Sequence, residues 1–534
     1  MFEIAFIAGI YSYLVFFLGI FNILHKNFVV IVTLLYFGLV LFYFLRTKKI
    51  PTLFKKIRLD KVSIVLTLLI IIQALVNLIG VFGPEISFDA LWYHLTIPKL
   101  FLINHSVFNI PGGLLYYSDM PKLVEMLYVG ALSFGSEIFA KLIHFFFGIL
   151  ILISIYKISR KFISEKYSLI AAMIFYSSLV VGWESIAAYV DLSRTFFEIM
   201  AFWGFLNWFE NKKNLKWLII SGIMLGFAIT AKLIAFESLI IFLGLFIYEA
   251  ICRKTKIITF FKDCFVFVLS SLIIPLPWFI FSYVNTGNPF YPYFSKIAVD
   301  SGQTFSFPNL TIILKDFYNL FLNLSDPISP LYLILLPLIF ISLKKSELKI
   351  KLLALYMFLS ILIWYLTLEA RGGRFVLPYL PVFSIIASYS IYKLRSRGLR
   401  FFLIIVVVLI FLSSISYRYL ANSKFIPVIL GQETKSKFLI KNLNFSFGDF
   451  YDTDGYLRKK IKPSDNVLLF GFHNLYYIDF PFVDSSFVKK GDVFDYIAVQ
   501  NSIPPARFSY WKLIYSNNLT KVKLYSKGGK TWVY

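Results

Sequence analysis

The stretch "VSIVLTLLIIIQALVNLIGVFGPEISFDALWYHLTIPKLFL", residues 62–102, joins two kinds of chain. Its first half, 62–83, is an uncharged apolar run long enough to cross a bilayer as a helix, which takes about 20 residues. Its second half places Asp89 among aromatic and apolar residues, with Trp92, Tyr93 and His94 just behind it. A charge deep in lipid costs about 2.5–3.5 kcal/mol on the insertion scale, so an intramembrane carboxylate usually faces a cavity. The stretch therefore reads as a spanning helix followed by an interfacial segment that carries a candidate acid.

Working outward, the same apolar signal recurs. Candidate spans lie near 4–24, 28–46, 62–83, 137–156, 168–187, 192–209, 216–231, 234–250, 263–284, 328–343, 351–368, 374–392 and 400–417. The pair 216–231 and 234–250 is short and reads as a hairpin. The first run lacks an A-x-A cleavage site and is followed by a second span, so it is expected to be a span rather than a removed leader. The composition agrees. Of 534 residues, 59% are hydrophobic and 15% charged, too little polar surface for a water-soluble chain of this length.

A net charge of +24 would suggest nucleic acid in a soluble protein. Here alternate loops take the charge. One set carries 26 Lys and Arg residues and the intervening set eight. The positive-inside rule places the richer set in the cytoplasm. The expected topology is then thirteen spans, a cytoplasmic N-terminus and an extracytoplasmic C-terminus, in a multi-pass protein of the plasma membrane. The predicted membrane domain is 1–417, with a large outer loop at 84–136. Residues 418–534 are expected to form a small extracytoplasmic α/β domain. In it "DNVLLFGF" and "FDYIAVQN" read as strands, "ARFSYWKLIYS" as a helix, and the last residues as a hairpin turning at Gly528-Gly529. Cys252 and Cys264 suggest neither a disulfide framework nor a metal site.

The outer face collects the polar candidates. Asp119 and Glu125 share the first loop with Asp89, and simple solvation is as good a reading for these two as function. Asp191 ends the turn "ESIAAYVDLSRTFFE" and reads equally well as a helix N-cap. Lys232, alone in "GFAITAKLIAF", is either a snorkelling lysine or part of an anion site. Arg371 and Arg374 in "EARGGRFVLPYLP" lie on the side where the charge rule disfavours them. Gly372 and Gly373 would let the backbone approach a ligand closely. The guanidinium fork suits phosphate oxygens. The Asp452-x-Asp454 pair reads as an ordinary turn.

The ordered series "FDALWYHLTIPKLF", "YYSDMPKLVEMLY", "AYVDLSRTFF", "GFAITAKLIAF", "PLPWFIFSYVNTGNPFYPYF", "RGGRFVLPYLP" and "LLFGFHNLYYIDFPFVD" resembles the GT-C membrane glycosyltransferases that use polyprenyl-phosphate sugars. The protein O-mannosyltransferases and lipid A aminoarabinose transferases are the similar groups, over roughly residues 60–500. The resemblance implies that Asp89 is the catalytic base and that Lys232, Arg371 and Arg374 hold the donor phosphate. His94, Asp119, Glu125 and Asp191 would contact the acceptor or support the site. Phe88 precedes Asp89 where many relatives carry a second acid, which argues against a divalent metal, and no cofactor is assigned. The implied partners are a polyprenyl-phosphate sugar donor, the bilayer, and a glycan, lipid or protein acceptor, with no nucleic acid. The implied reaction moves the sugar to an acceptor hydroxyl with inversion. The other class to weigh is a lipid or polysaccharide transporter or flippase, which would show inverted repeats and Gly/Pro-broken midplane helices. Neither is visible in the sequence.

Overall fold

The computed structural model describes residues 1–47, 60–212, 214–295, 310–322, 326–344, 346–367, 372–527 and 532–533. Every expected span falls on helix. Among the described residues, eight helices are long and apolar enough to cross a membrane: Phe2–Ile20, Lys26–Arg46, Lys61–Phe82, Glu137–Ser159, Leu233–Arg253, Leu348–Leu366, Gly373–Lys393 and Arg397–Ile429. A bent pair, Ile257–Leu272 and Leu276–Thr286, makes up to nine. Its 60° bend falls at Pro275 and Pro277, where the ring of a proline excludes the preceding turn's hydrogen bond. The Tyr13 hydroxyl donates to the Ile274 carbonyl at this break.

The remaining candidates are shorter or more polar. Residues 168–187 divide into Glu165–Tyr176 and Leu179–Glu184. Leu215–Ala231 has 17 residues and Leu331–Leu343 has 13. Asp191–Glu210 is nearly all buried and packs against Glu137–Ser159 and Leu215–Ala231 at the centre of the bundle. A central helix meets protein on all sides, so its sequence need not satisfy lipid. The peripheral Lys26–Arg46 does the reverse: only 11% of its apolar window is buried, and Leu34, Leu39 and Phe42 face outward. Such an apolar exterior suits hydrocarbon and not water.

Residues 84–136 fold over one end of the bundle. A π-helical turn at Ala90–His94 leads into Thr96–Ile103. A 3₁₀ turn at Tyr116–Asp119 precedes Leu123–Ser133, which is buried against Phe2–Ile20 and Glu137–Ser159.

The helix expected at 400–417 runs from Arg397 to Asn422. Beyond it lies an α/β unit with strands β1 (Val467–Phe470), β2 (Phe482–Asp484), β3 (Val493–Phe494), β4 (Tyr496–Gln500), β5 (Lys512–Asn517), β6 (Val522–Ser526) and β7 (Trp532–Val533). The main sheet runs β2-β1-β4-β6-β5, with β1 parallel to β2 and β4, and β6 antiparallel to β4 and β5. Two expectations are corrected. "ARFSYWKLIYS" is a 3₁₀ turn followed by β5, because Leu513, Tyr515 and Ser516 pair as a strand with β6 around a bulge at Ile514. The expected terminal hairpin does not form: β6 pairs with β5, and β7 crosses to β3. Gly528 and Gly529 lie outside the described residues.

The α/β unit docks on the loop end. Lys99 donates to the carbonyls of Tyr476 (2.8 Å) and Ile478, and the Tyr477 hydroxyl donates to the Glu85 carbonyl (2.8 Å). Lys435 pairs with Glu137 at 2.6 Å. At the other end of the same helices, Lys161 and Lys349 pair with Glu210, and Lys212 with Glu249. The bundle thus has a docked end and an end laced with lysines.

Candidate active site

Four of the sequence candidates converge at the docked end. Asp89 starts the π-helical turn, whose wide closure from Leu95 N–H to the Ala90 carbonyl (2.9 Å) is a local irregularity of the kind found at functional sites. Its Oδ2 accepts from Arg374 Nη1 at 2.6 Å, across 285 residues of chain. The two side chains are 16% and 19% exposed, so the pair is reachable. Asp191 Oδ1 accepts from Lys232 at 2.6 Å. Phe375 ties the two pairs together: Arg374 lies 5.2 Å and Lys232 5.1 Å from its ring centre. A planar guanidinium over aromatic faces is an oriented cation, and Tyr189 supplies a second face at 5.3 Å.

The cations line a cavity of about 200 Å³ with Tyr93, Tyr116, Tyr117, Phe375 and Tyr293. Through Leu233, Ile234 and Tyr293 it adjoins a second recess of about 520 Å³, lined by Phe236, Phe290 and Phe294. Two ammonium- or guanidinium-bearing walls thus open onto an aromatic furrow. That arrangement can hold a phosphate while an apolar chain runs away from it.

The local sequence explains the placement. Asp191 is the first residue of Asp191–Glu210, not its N-cap: Val190 takes that position, and the carboxylate is spent on Lys232. Lys232 ends Leu215–Ala231 in an extended conformation, which turns its side chain off the helix. Gly372 and Gly373 do allow a close approach, but to the chain itself. A Cβ on Gly373 would lie 2.0 Å from the Asp326 carbonyl oxygen. Asp326 Oδ2 in turn accepts from Arg374 N–H at 2.8 Å, fixing the backbone that carries the guanidinium. Burial pushes the Asp326 carboxyl above its usual pKa, with the Arg374 amide pulling the other way. Arg371 lies outside the described residues.

The other candidates sit below the loop. His94 Nδ1 donates to Glu125 Oε1 at 2.9 Å, and both are buried. Burial raises the Glu125 pKa, but Lys122 and His94 outweigh it and leave the carboxyl below the usual value. Asp119 Oδ2 accepts from Asn109 (2.7 Å) and Ser118 (3.0 Å), and burial pushes its carboxyl upward. The Asp452 and Asp454 carboxylates accept backbone N–H groups of Leu457, Arg458 and Tyr456, which makes the pair a turn and helix cap. Among the described residues, no group of three or more His, Cys, Asp or Glu side chains is arranged to hold a metal ion.

Residues 128–281 match the family described as dolichyl-phosphate-mannose-protein mannosyltransferase. No curated protein matches the chain by sequence. ArnT from Cupriavidus metallidurans bound to undecaprenyl phosphate superposes with a TM-score of 0.59 at 12% identity, covering 86% of this chain and 97% of that one. The chain has a GT-C glycosyltransferase fold. The apo form of ArnT gives 0.58 at the same identity and coverage. The Archaeoglobus fulgidus oligosaccharyltransferase, in its apo form, gives 0.47 at 12% identity over 79% of this chain and 63% of that one.

Within this GT-C fold, several residues near the site escape sequence reasoning. Glu85 is buried and uses both oxygens, accepting from Ile86 (2.9 Å), Ser87 (2.8 Å) and Ala188 (2.7 Å). It ties the Asp89 segment to the turn before Asp191. His144 carries its proton on Nδ1, which faces the Glu184 and Ala187 carbonyls, while Nε2 accepts from Leu192 N–H at 3.0 Å. Tyr189 accepts from Asp89 N–H at 3.2 Å. Each acts through tertiary contacts that no spacing in the sequence announces.

Proposed function

We propose that this chain transfers a sugar from a polyprenyl-phosphate donor to an acceptor hydroxyl, with inversion and with Asp89 as the general base. The observation that carries this reading is the sharing of one guanidinium: Arg374 bonds Asp89 and also lines the phosphate-sized cavity beside Lys232. The charge balance follows. The acceptor oxygen attacks the anomeric carbon and loses its proton to Asp89, which becomes neutral. The sugar–phosphate bond breaks and the departing lipid phosphate gains the negative charge. Arg374, within reach of both, follows the charge from carboxylate to phosphate, and Lys232 stabilises it from the other side of Phe375. A phosphate leaving group needs no strong acid, so one base suffices.

Arg371 is assigned to the same phosphate by sequence alone. Asp191 supports Lys232, while His94, Glu125 and Asp119 hold the loop from beneath. The aromatic recess with Phe236, Phe290 and Phe294 would take the first isoprene units. We assign the docked end, with residues 418–534, to the outside and the N-terminus to the cytoplasm, because the lysine-laced end obeys the positive-inside rule.

The test uses the purified full chain in liposomes containing polyprenyl-phosphate sugars labelled in the sugar, with cell-envelope fractions as acceptors. Label leaving the lipid for an acceptor, with inverted anomeric configuration by NMR, is the expected result. Movement of intact labelled lipid between leaflets with no cleavage would favour the flippase reading and overturn this one.

A further inference from the structure

The α/β unit reaches the Asp89 turn through His473 and Phe447, and His473 touches both of its outer rings. Its imidazole lies 4.7 Å from the Phe88 ring and 4.4 Å from the Trp92 ring, one residue before and three after Asp89. Phe447, from the neighbouring loop of the same unit, adds a contact to Phe88 at 5.2 Å. Trp92 is itself fixed, its indole N–H donating to the Leu114 carbonyl at 2.9 Å.

The delivery of His473 is rigid. Its N–H and that of Asn474 both donate to the Gly448 carbonyl, at 3.2 and 3.1 Å. Gly448 has φ +96°, and a Cβ there would lie 2.7 Å from the His473 Cβ, so only glycine lets the two loops meet. Asn474 donates to Asp449 and lies 3.4 Å from His473 Nδ1, which sets the ring's orientation. Burial lowers the His473 pKa below its usual value, so the ring packs as a neutral aromatic near pH 7.

The Asp89 turn needs such a support. Its carboxylate is part-exposed; among the described residues Arg374 is its close partner and Tyr93 a distant one at 3.5 Å. A base misplaced by about 1 Å loses about a hundredfold in rate. We propose that His473 is a positioning residue through which the C-terminal domain holds the Phe88–Trp92 turn and so aims the Asp89 carboxylate. This rests on the reading of Asp89 as the base.

The test compares His473→Ala, His473→Phe and His473→Gln in the purified full chain, measuring kcat, donor KM and the unfolding temperature. The expected result for His473→Ala is a kcat lower by about tenfold to a hundredfold with donor KM changed by less than about twofold. His473→Phe keeps a ring against Phe88 and Trp92 and recovers most of the loss, whereas His473→Gln does not. A wild-type kcat for His473→Ala overturns the proposal, as does a loss that tracks unfolding temperature alone. Rescue by Gln and not by Phe also overturns it, since a hydrogen bond would then be the relevant contact. Should His473→Ala not fold, the Phe and Gln variants still decide. Asp89→Asn in the same assay separates the two claims. An active Asp89→Asn removes the base; an inactive one beside a fully active His473→Ala removes only the positioning role.

Discussion

Two ion pairs in this bundle look alike on paper and differ in what surrounds them. Arg194 and Glu198 meet at 2.9 Å with 1% and 0% exposure. Ser238 donates to the second Glu198 oxygen (2.6 Å) and Arg194 also donates to the Tyr379 hydroxyl (3.1 Å). Arg374 and Asp89 meet at 2.6 Å, but in a cavity wall and part-exposed. The first pair is enclosed and spent on the fold. The second keeps its partners exchangeable, which is what a base and a phosphate holder require.

Substitutions can break that contrast. Arg194→Ala leaves Glu198 buried without its counter-charge and should cost about 3–5 kcal/mol of stability, read as a lowered unfolding temperature in detergent. Arg374→Ala should leave the fold largely intact and lower donor kcat/KM by about 10²–10³. Lys at that position should rescue it only partly, because the planar fork is lost. Lys232→Ala should weaken the donor's kcat/KM by about tenfold to a hundredfold, the worth of a charged hydrogen bond at about 1.5–3 kcal/mol. At the opposite end, Lys161→Ala removes a pair that is 27% exposed on both sides. It should shift stability by no more than about 0.5 kcal/mol and leave transfer unchanged. A large activity loss there would erase the distinction between the two ends.

The sequence made the bundle legible because lipid imposes one strong constraint on every span, an apolar run of sufficient length. The constraint fades where protein replaces lipid, so Asp191–Glu210 is a helix that burial within the bundle holds, with polar residues that lipid would not accept. The site was legible in part: Asp89, Asp191, Lys232 and Arg374 are conspicuous charges in apolar context. Their pairing was not, since Asp89 finds Arg374 across 285 residues. Asp326 and Glu85 are not singled out by the sequence pattern, and only their backbone donors, Arg374 N–H and Ala188 N–H, show what they hold. The misread strand β5 shows the other limit. Its aromatic and apolar residues suit a helix or a strand, and its neighbour β6 decides.

The central claim is that Asp89 takes the acceptor's proton while Arg374 follows the charge to the phosphate. The most direct measurement is sugar transfer by purified Asp89→Asn at saturating donor, alongside donor binding by the same preparation. Asparagine keeps the shape and cannot accept the proton. The account predicts a folded protein that binds donor and transfers about 10²–10⁴-fold more slowly. Transfer at near the wild-type rate would contradict it and pass the role to Asp119, Glu125 or Asp191.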